Sequence, residues 1–179
     1  MGTFTKVSDY YRHLRNRGYE KLGQGRYSYV VAKPGSDRVI KMGRAVDGWP
    51  GYIEWSIIHG YDGTFAPRVY SLRFYAEFYV AVVERLVCTI GDLHRDNAYN
   101  NNYYSKLHSK MQDWSMWGED HHGSEYADLR EFCCKCGQAK FADDMHGGNV
   151  MLRKDGHLVV TDPCSVYHGK EETPSYKHR

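Results

Sequence analysis

Charge of one sign is lacking: 24 basic side chains stand against 22 acidic ones, and a formal charge of +2 gives no basic face of the kind that phosphate-backbone binding requires. Nucleic acid is therefore not an expected partner. Long apolar runs are missing as well. No stretch approaches the roughly 20 residues of a membrane span, and the opening MGTFTKVSDYYRH has no apolar core of a secretory signal. Lys6 stands where an N-myristoylation pattern needs Ser or Thr. Five cysteines, an odd number, argue against a disulfide scaffold and lead us to expect a reducing, cytoplasmic setting. Cys133 and Cys136 form a single C-x-x-C with no second pair to complete a zinc site. Both fall on one helical stripe with Leu129, Phe132 and Lys140, which points to core packing. There is no internal repeat.

What is present is enough chain for one domain with a real core. A first helix is expected over 8–17, with Ser8 as its cap and Gly18 at its end. The period then becomes extended. Two antiparallel strands are expected over 27–32 and 38–42, parted by KPGSD, where Pro34 and Gly35 supply the turn. WPGYIEWSIIHGY reads as a short helix. RVYSLRF and FYVAVVERL return to β-rich composition, the second apolar enough for the interior of a sheet. Residues 89–123 are polar, though Tyr104, Leu107, Met111 and Trp114 recur at helical steps, and a further helix is expected over 124–140. Two short strands around KDG follow in GGNVMLRKDGHLVVTDP. The tail HGKEETPSYKHR is polar.

Two stretches compete for the chemistry. GDLHRDN, residues 91–97, has the His-Arg-Asp look of a catalytic loop, and both Asp92 and Asp96 have an asparagine five residues on. No strand pair follows it, however, and it comes too soon after VVERL for a supporting helix to intervene. The stretch DDMHGGNVMLRKDGHLVVTDP has the missing scaffold. Asp144 precedes Asn149 by five residues, an apolar strand follows at once, and Asp162 ends the next strand thirteen residues after the asparagine. Phosphoryl transfer needs such a set, a carboxylate to orient the hydroxyl and oxygen ligands for the metal bridging the phosphates. Asp144 is assigned the first task, and Asn149 and Asp162 the second, with Mg²⁺ as the ion.

The ordered set GQGRYSYV, VIKMG, VVERL, DMHGGN and VVTDP resembles the protein-kinase-like fold from its first strand to its metal-binding aspartate. DMHGGN is closer to the loop of aminoglycoside-type phosphotransferases than to the protein-kinase form. More narrowly, LGQGRYS, RVIKMG, DMHGGN and TDPCSV resemble the early serine/threonine protein kinases of autographiviral (T-seven-like) phages, over about residues 19–167. That resemblance implies an α+β, two-lobed chain. Residues 1–86 would be an N-lobe with a small antiparallel sheet and one helix, and 87–179 a truncated, mainly helical C-lobe. It also implies ATP and Mg²⁺ as cofactors, and cytoplasmic host proteins of the transcription or RNA-processing machinery as partners, in the service of host transcription shutoff.

Residue by residue, the resemblance makes Gly23 and Gly25 the loop over the nucleotide phosphates, with Ser28 where a third glycine is usual. Lys41 would reach the α- and β-phosphates, and Glu54 would pair with it. Glu84 would fall at the hinge near the adenine, and His146 would face the γ-phosphate. Taken singly, a strand-end lysine is ordinarily solvated and a helix glutamate ordinarily faces water; it is the order of the set that carries the reading. There are departures. Ala142 stands where a brace for the catalytic loop is usual, Pro163 and Cys164 follow Asp162 in place of Phe-Gly, and only seventeen residues follow Asp162. The short second lobe favours an alternative, a catalytically weak or inactive kinase-fold protein that binds and inhibits a host enzyme. A small-molecule phosphotransferase is disfavoured, since no large acceptor-binding lobe is encoded.

Overall fold

The computed structural model describes residues 4–89, 141–143 and 148–166. The expected helices in 104–114 and 124–140, the competing loop at 91–97, Asp144, His146, Cys133, Cys136 and the tail lie outside the described residues. Within them the chain is α+β. Helix α1 (Val7–Arg15) is followed by strands β1 (Glu20–Gln24), β2 (Ser28–Ala32) and β3 (Arg38–Arg44), helix α2 (Trp49–Ile58), then β4 (Val69–Phe74) and β5 (Phe78–Glu84). The five strands form one antiparallel sheet in the order β1-β2-β3-β5-β4. Farther along, β7 (Val150–Leu152) pairs with β8 (Leu158–Val160), and β6 (Phe141–Asp143) pairs with β9 (Cys164–Val166).

Side-chain alternation divides the sheet into two faces. Phe78 and Val80 of β5, with Met42 of β3 and Val31 of β2, pack against α1 through Leu14, Val7, Tyr10 and Tyr11. Tyr79, Ala81 and Val83 point the other way, onto Trp49, Tyr52 and Ile53 of α2 and Val150 and Val160 of the hairpin. Lys41 shares that second face with Val39, so a cation emerges where α2 and the hairpin meet the sheet.

Three details differ from expectation. Helix α1 begins one residue before Ser8, with Lys6 at its N-cap and no side-chain cap. Val7, Tyr10, Tyr11 and Leu14 form an i, i+3, i+4, i+7 stripe, and burying that whole stripe places Ser8 inside the first turn. Strand β1 was not expected, because its burial shows no apolar alternation; it is an edge strand held by backbone pairing to β2, with a bulge between Lys21 and Gly23. The β6–β9 pair was also not expected, since three-residue strands leave almost no periodic signal.

The hairpin is fastened to the sheet and to α2 by specific polar bonds. Tyr52 donates its hydroxyl to the Val160 carbonyl (2.9 Å), Trp49 its indole N–H to the Thr161 carbonyl (2.8 Å), and Val160 its N–H to the Phe65 carbonyl (2.8 Å). Arg153 donates to both Glu84 oxygens, with Nη2 2.6 Å from Oε1 and Nε 3.0 Å from Oε2, and also to the carbonyls of Thr64 and Ala66. These bonds set where Asn149 and Asp162, at the two open ends of the hairpin, must lie.

Candidate active site

A cleft of about 520 Å³ runs between the five-stranded sheet and the β7–β8 hairpin. Its lining is mixed: Leu22, Val30, Val39, Val83, Val87 and Met151 are apolar, and Ser28, Lys41, Asn149 and Asp162 are polar, with Gly23 and Gly25 beside them. The volume lies within the range of pockets that take a small organic ligand, roughly 300–1,000 Å³.

Among the polar residues Lys41 Nζ donates to Asp162 Oδ2 at 2.7 Å, joining residues 121 positions apart. Lys41 is only 8% exposed. An ammonium that deep requires charged or aromatic partners. It has both, because Nζ also lies 4.6 Å from the centre of the Trp49 ring. Asn149 is brought next to Asp162 by the ladder itself. The Val150–Val160 register continues outward, and the Asn149 carbonyl accepts from the Thr161 N–H (2.7 Å) and hydroxyl (3.0 Å).

The glycine-rich turn lines the same cleft. The Gly25 N–H donates to the Ser28 carbonyl at 2.9 Å, making a tight hairpin tip. A Cβ added at Gly25 would meet Ser28 Oγ at 3.1 Å, so a side chain there would press on a neighbour that is itself buried.

The structure thus brings together Gly23, Gly25, Ser28, Lys41, Glu84, Asn149 and Asp162 around one cleft. It does not bring Glu54 to Lys41. Glu54 sits half-buried on α2, where burial pushes its carboxyl upward, and it makes no ion pair with the lysine. Glu84 borders the cleft, but its carboxylate is held by Arg153 and by the Arg68 N–H (2.8 Å). Burial pushes that carboxyl upward, and the Arg153 and Arg68 bonds outweigh burial and hold it below the ordinary range. Asp144 and His146 lie outside the described residues. Strand β6 ends one residue before Asp144, with Asp143 paired to Cys164.

Sequence reasoning missed Asp47, Trp49, Tyr79 and Arg153. Asp47 accepts from the Tyr79 hydroxyl (3.0 Å) and the Trp49 N–H (3.4 Å). Burial raises its pKa and Asp162 raises it further, against the lowering effect of Lys41 and of the two hydrogen bonds. Burial, together with Asp47 and Asp162, pushes the Tyr79 hydroxyl well above the usual range, so Tyr79 stays a donor. An aspartate just ahead of a helix, as in VDGWPG, is a local cue that could have flagged Asp47. Arg153 has no comparable cue.

Chemically, a fixed cation, a carboxylate and a carboxamide residue beside a glycine turn suit an anion and its metal, and the apolar lining suits a flat base. The family model described as Bacteriophage T7 protein kinase 0.7 matches residues 3–177. The chain belongs to that family. No curated protein matches it. A protein-kinase family implies use of a nucleotide, and the cation, carboxylate and glycines lining this cleft are chemically compatible with one. Among the described residues no helix is long and apolar enough to cross a membrane.

Proposed function

We propose that this member of the T7 kinase family is an ATP- and Mg²⁺-dependent serine/threonine kinase acting on host proteins of the transcription or RNA-processing machinery in the host cytoplasm, and thereby contributing to host transcription shutoff. The observation that carries the proposal is the Lys41–Asp162 contact at 2.7 Å in a cleft that Gly23 and Gly25 also line. In this reading residues 1–86 form one lobe and 87–179 belong to the second. Mg²⁺–ATP supplies the phosphoryl group and, through the metal, neutralises charge on its oxygens.

The chain's own residues do the positioning. Lys41 binds α- and β-phosphate oxygens. Asn149 and Asp162 are the metal's protein ligands, and Glu84 holds the hinge by which the base enters. Gly23, Gly25 and Ser28 let backbone amides approach the phosphates. By the family resemblance, Asp144 would orient the acceptor hydroxyl and receive its proton, and His146 would face the terminal phosphate. Catalysis of this kind is positioning and electrostatics, with no covalent enzyme intermediate.

The test is phosphate transfer from labelled ATP to host lysate proteins by wild type, Asp144→Ala and Asp162→Asn. A loss of at least about a hundredfold in each variant is expected. Undiminished labelling by both variants would overturn the assignment of this site, and host growth arrest that survives both substitutions would overturn the proposal in favour of a binding-only inhibitor.

A further inference from the structure

Lys41 and Asp162 are held to one another at 2.7 Å, yet Asp162 is also the expected metal ligand. A holder for Lys41 that does not depend on Asp162 is therefore needed, and Glu54 does not provide it. We propose that Asp47, through Trp49 and Tyr79, is the positioning residue that keeps Lys41 directed into the cleft. This rests on the phosphoryl-transfer reading of the same cleft.

The geometry is a closed chain of contacts. Asp47 is 7% exposed and holds the Tyr79 hydroxyl at 3.0 Å and the Trp49 N–H at 3.4 Å. Trp49 stacks on Tyr79 with ring centres 5.2 Å apart and planes 15° apart, and the Lys41 ammonium lies 4.6 Å from the Trp49 ring centre. The same indole donates to the Thr161 carbonyl at 2.8 Å, so one ring fixes both the lysine and the residue that precedes Asp162. Glycine at position 43 makes the arrangement possible. A Cβ there would lie 2.7 Å from the Tyr79 hydroxyl, so any larger residue would push Tyr79 away from Asp47.

Burial and the charge of Asp162 raise the Asp47 pKa, while the charge of Lys41 and the donors Tyr79 and Trp49 favour its ionised form. The attraction is mutual. When Asp162 is engaged elsewhere, Asp47 and the Trp49 ring face continue to hold the ammonium in place.

The experiment uses the full chain, isotope-labelled, with Asp47→Asn and Glu54→Gln. Asparagine keeps one acceptor oxygen, for the Trp49 N–H, and turns an NH2 donor toward the Tyr79 hydroxyl, so the first variant removes the charge and nearly keeps the shape. In wild type the Lys41 ε-methylene resonance is expected upfield of its ordinary position, because it sits over an indole ring. In a chain that also carries Asp162→Asn, so that Lys41 has lost the charge 2.7 Å from it, Glu54→Gln should keep that shift and Asp47→Asn should lose most of it. With Asp162 intact, the phosphoryl-transfer rate should fall about tenfold to a hundredfold in Asp47→Asn and change less than about twofold in Glu54→Gln. Should Asp47→Asn fail to fold, Tyr79→Phe, which removes one donor and keeps the stack, should reduce the shift in the same direction. In the chain carrying Asp162→Asn, retention of the Lys41 shift in Asp47→Asn, or in Tyr79→Phe where that variant is used, or its loss in Glu54→Gln, overturns the proposal. If wild type transfers no phosphate the kinase reading fails, and the resonance still decides whether Asp47 positions Lys41.

Discussion

Replacing Glu84 by alanine removes the acceptor that joins the sheet to the hairpin. Arg153 would lose its 2.6 Å and 3.0 Å bonds to the carboxylate while remaining between the carbonyls of Thr64 and Ala66. Deleting one partner of a buried ion pair costs about 3–5 kcal/mol, mostly because the other charge is left uncompensated. The two side chains keep 15% and 16% of their exposure and Arg153 keeps two neutral acceptors, which puts the expected loss at the lower end, about 3 kcal/mol. With a urea dependence of about 2 kcal/mol/M, the unfolding midpoint should fall by about 1.5 M. Arg153→Met with Glu84→Ala should cost less than the sum of the two single changes, by about 2 kcal/mol. The pH dependence has a definite sign. Burial raises the Glu84 pKa, but the Arg153 and Arg68 hydrogen bonds hold it below the ordinary glutamate value of 4.5. A lowered folded-state pKa gives stability that is fully present above 4.5 and lost as pH falls through the folded-state value. The gap between wild type and Glu84→Gln, measured by urea unfolding, should therefore be constant near neutrality and narrow in acid. A Glu84→Ala loss below about 0.5 kcal/mol, or strictly additive single changes, would refute the reasoning.

Gly43→Ala should destabilise the fold by about 1–3 kcal/mol through overpacking, since the new Cβ would come within 2.8 Å of two Tyr79 ring carbons; a thermal or urea transition unchanged from wild type would count against it. Trp49→Phe keeps an aromatic face beneath Lys41 but loses the donor to the Thr161 carbonyl. It should cost about 1 kcal/mol of stability and lower phosphoryl transfer more than nucleotide affinity, which a kcat and KM comparison would show. Lys41→Met should leave far-UV circular dichroism unchanged and weaken ATP binding about tenfold or more, and equal binding isotherms for wild type and variant would remove the phosphate site.

The strands that sequence reading recovered are the ones whose apolar side chains are buried or partly buried. FYVAVVE declares two faces at once: Phe78 and Val80 on the α1 side, and Tyr79, Ala81 and Val83 on the α2 side. Arg38–Arg44 does the same, and there the alternation puts Lys41 on the apolar α2 face, a conflict that marks it as functional. Strand β1 had no such pattern, because an edge strand with exposed side chains is specified by its partner's backbone. Spacing alone was enough to bring Asn149 near Asp162, since both lie just beyond the open ends of a two-strand ladder whose turn was written as KDG.

What spacing could not reveal was which carboxylate would meet the lysine. Glu54 is placed in the right element, but a helix turns 100° per residue, and whether a given side chain points to the cleft depends on how the helix is rotated. That rotation is set by Trp49 and Tyr52, whose indole N–H and hydroxyl reach the Thr161 and Val160 carbonyls more than 100 positions away. Once those two bonds are made, the N-terminal end of α2 faces the cleft and Asp47, just ahead of it, lies beside Lys41's neighbours. The site's cation is thus positioned by long-range bonds to a hairpin that carries its own anion. These bonds join the two halves of the cleft, and a variant that removes one fastening of the hairpin, such as Glu84→Ala, should disturb Lys41 without touching it.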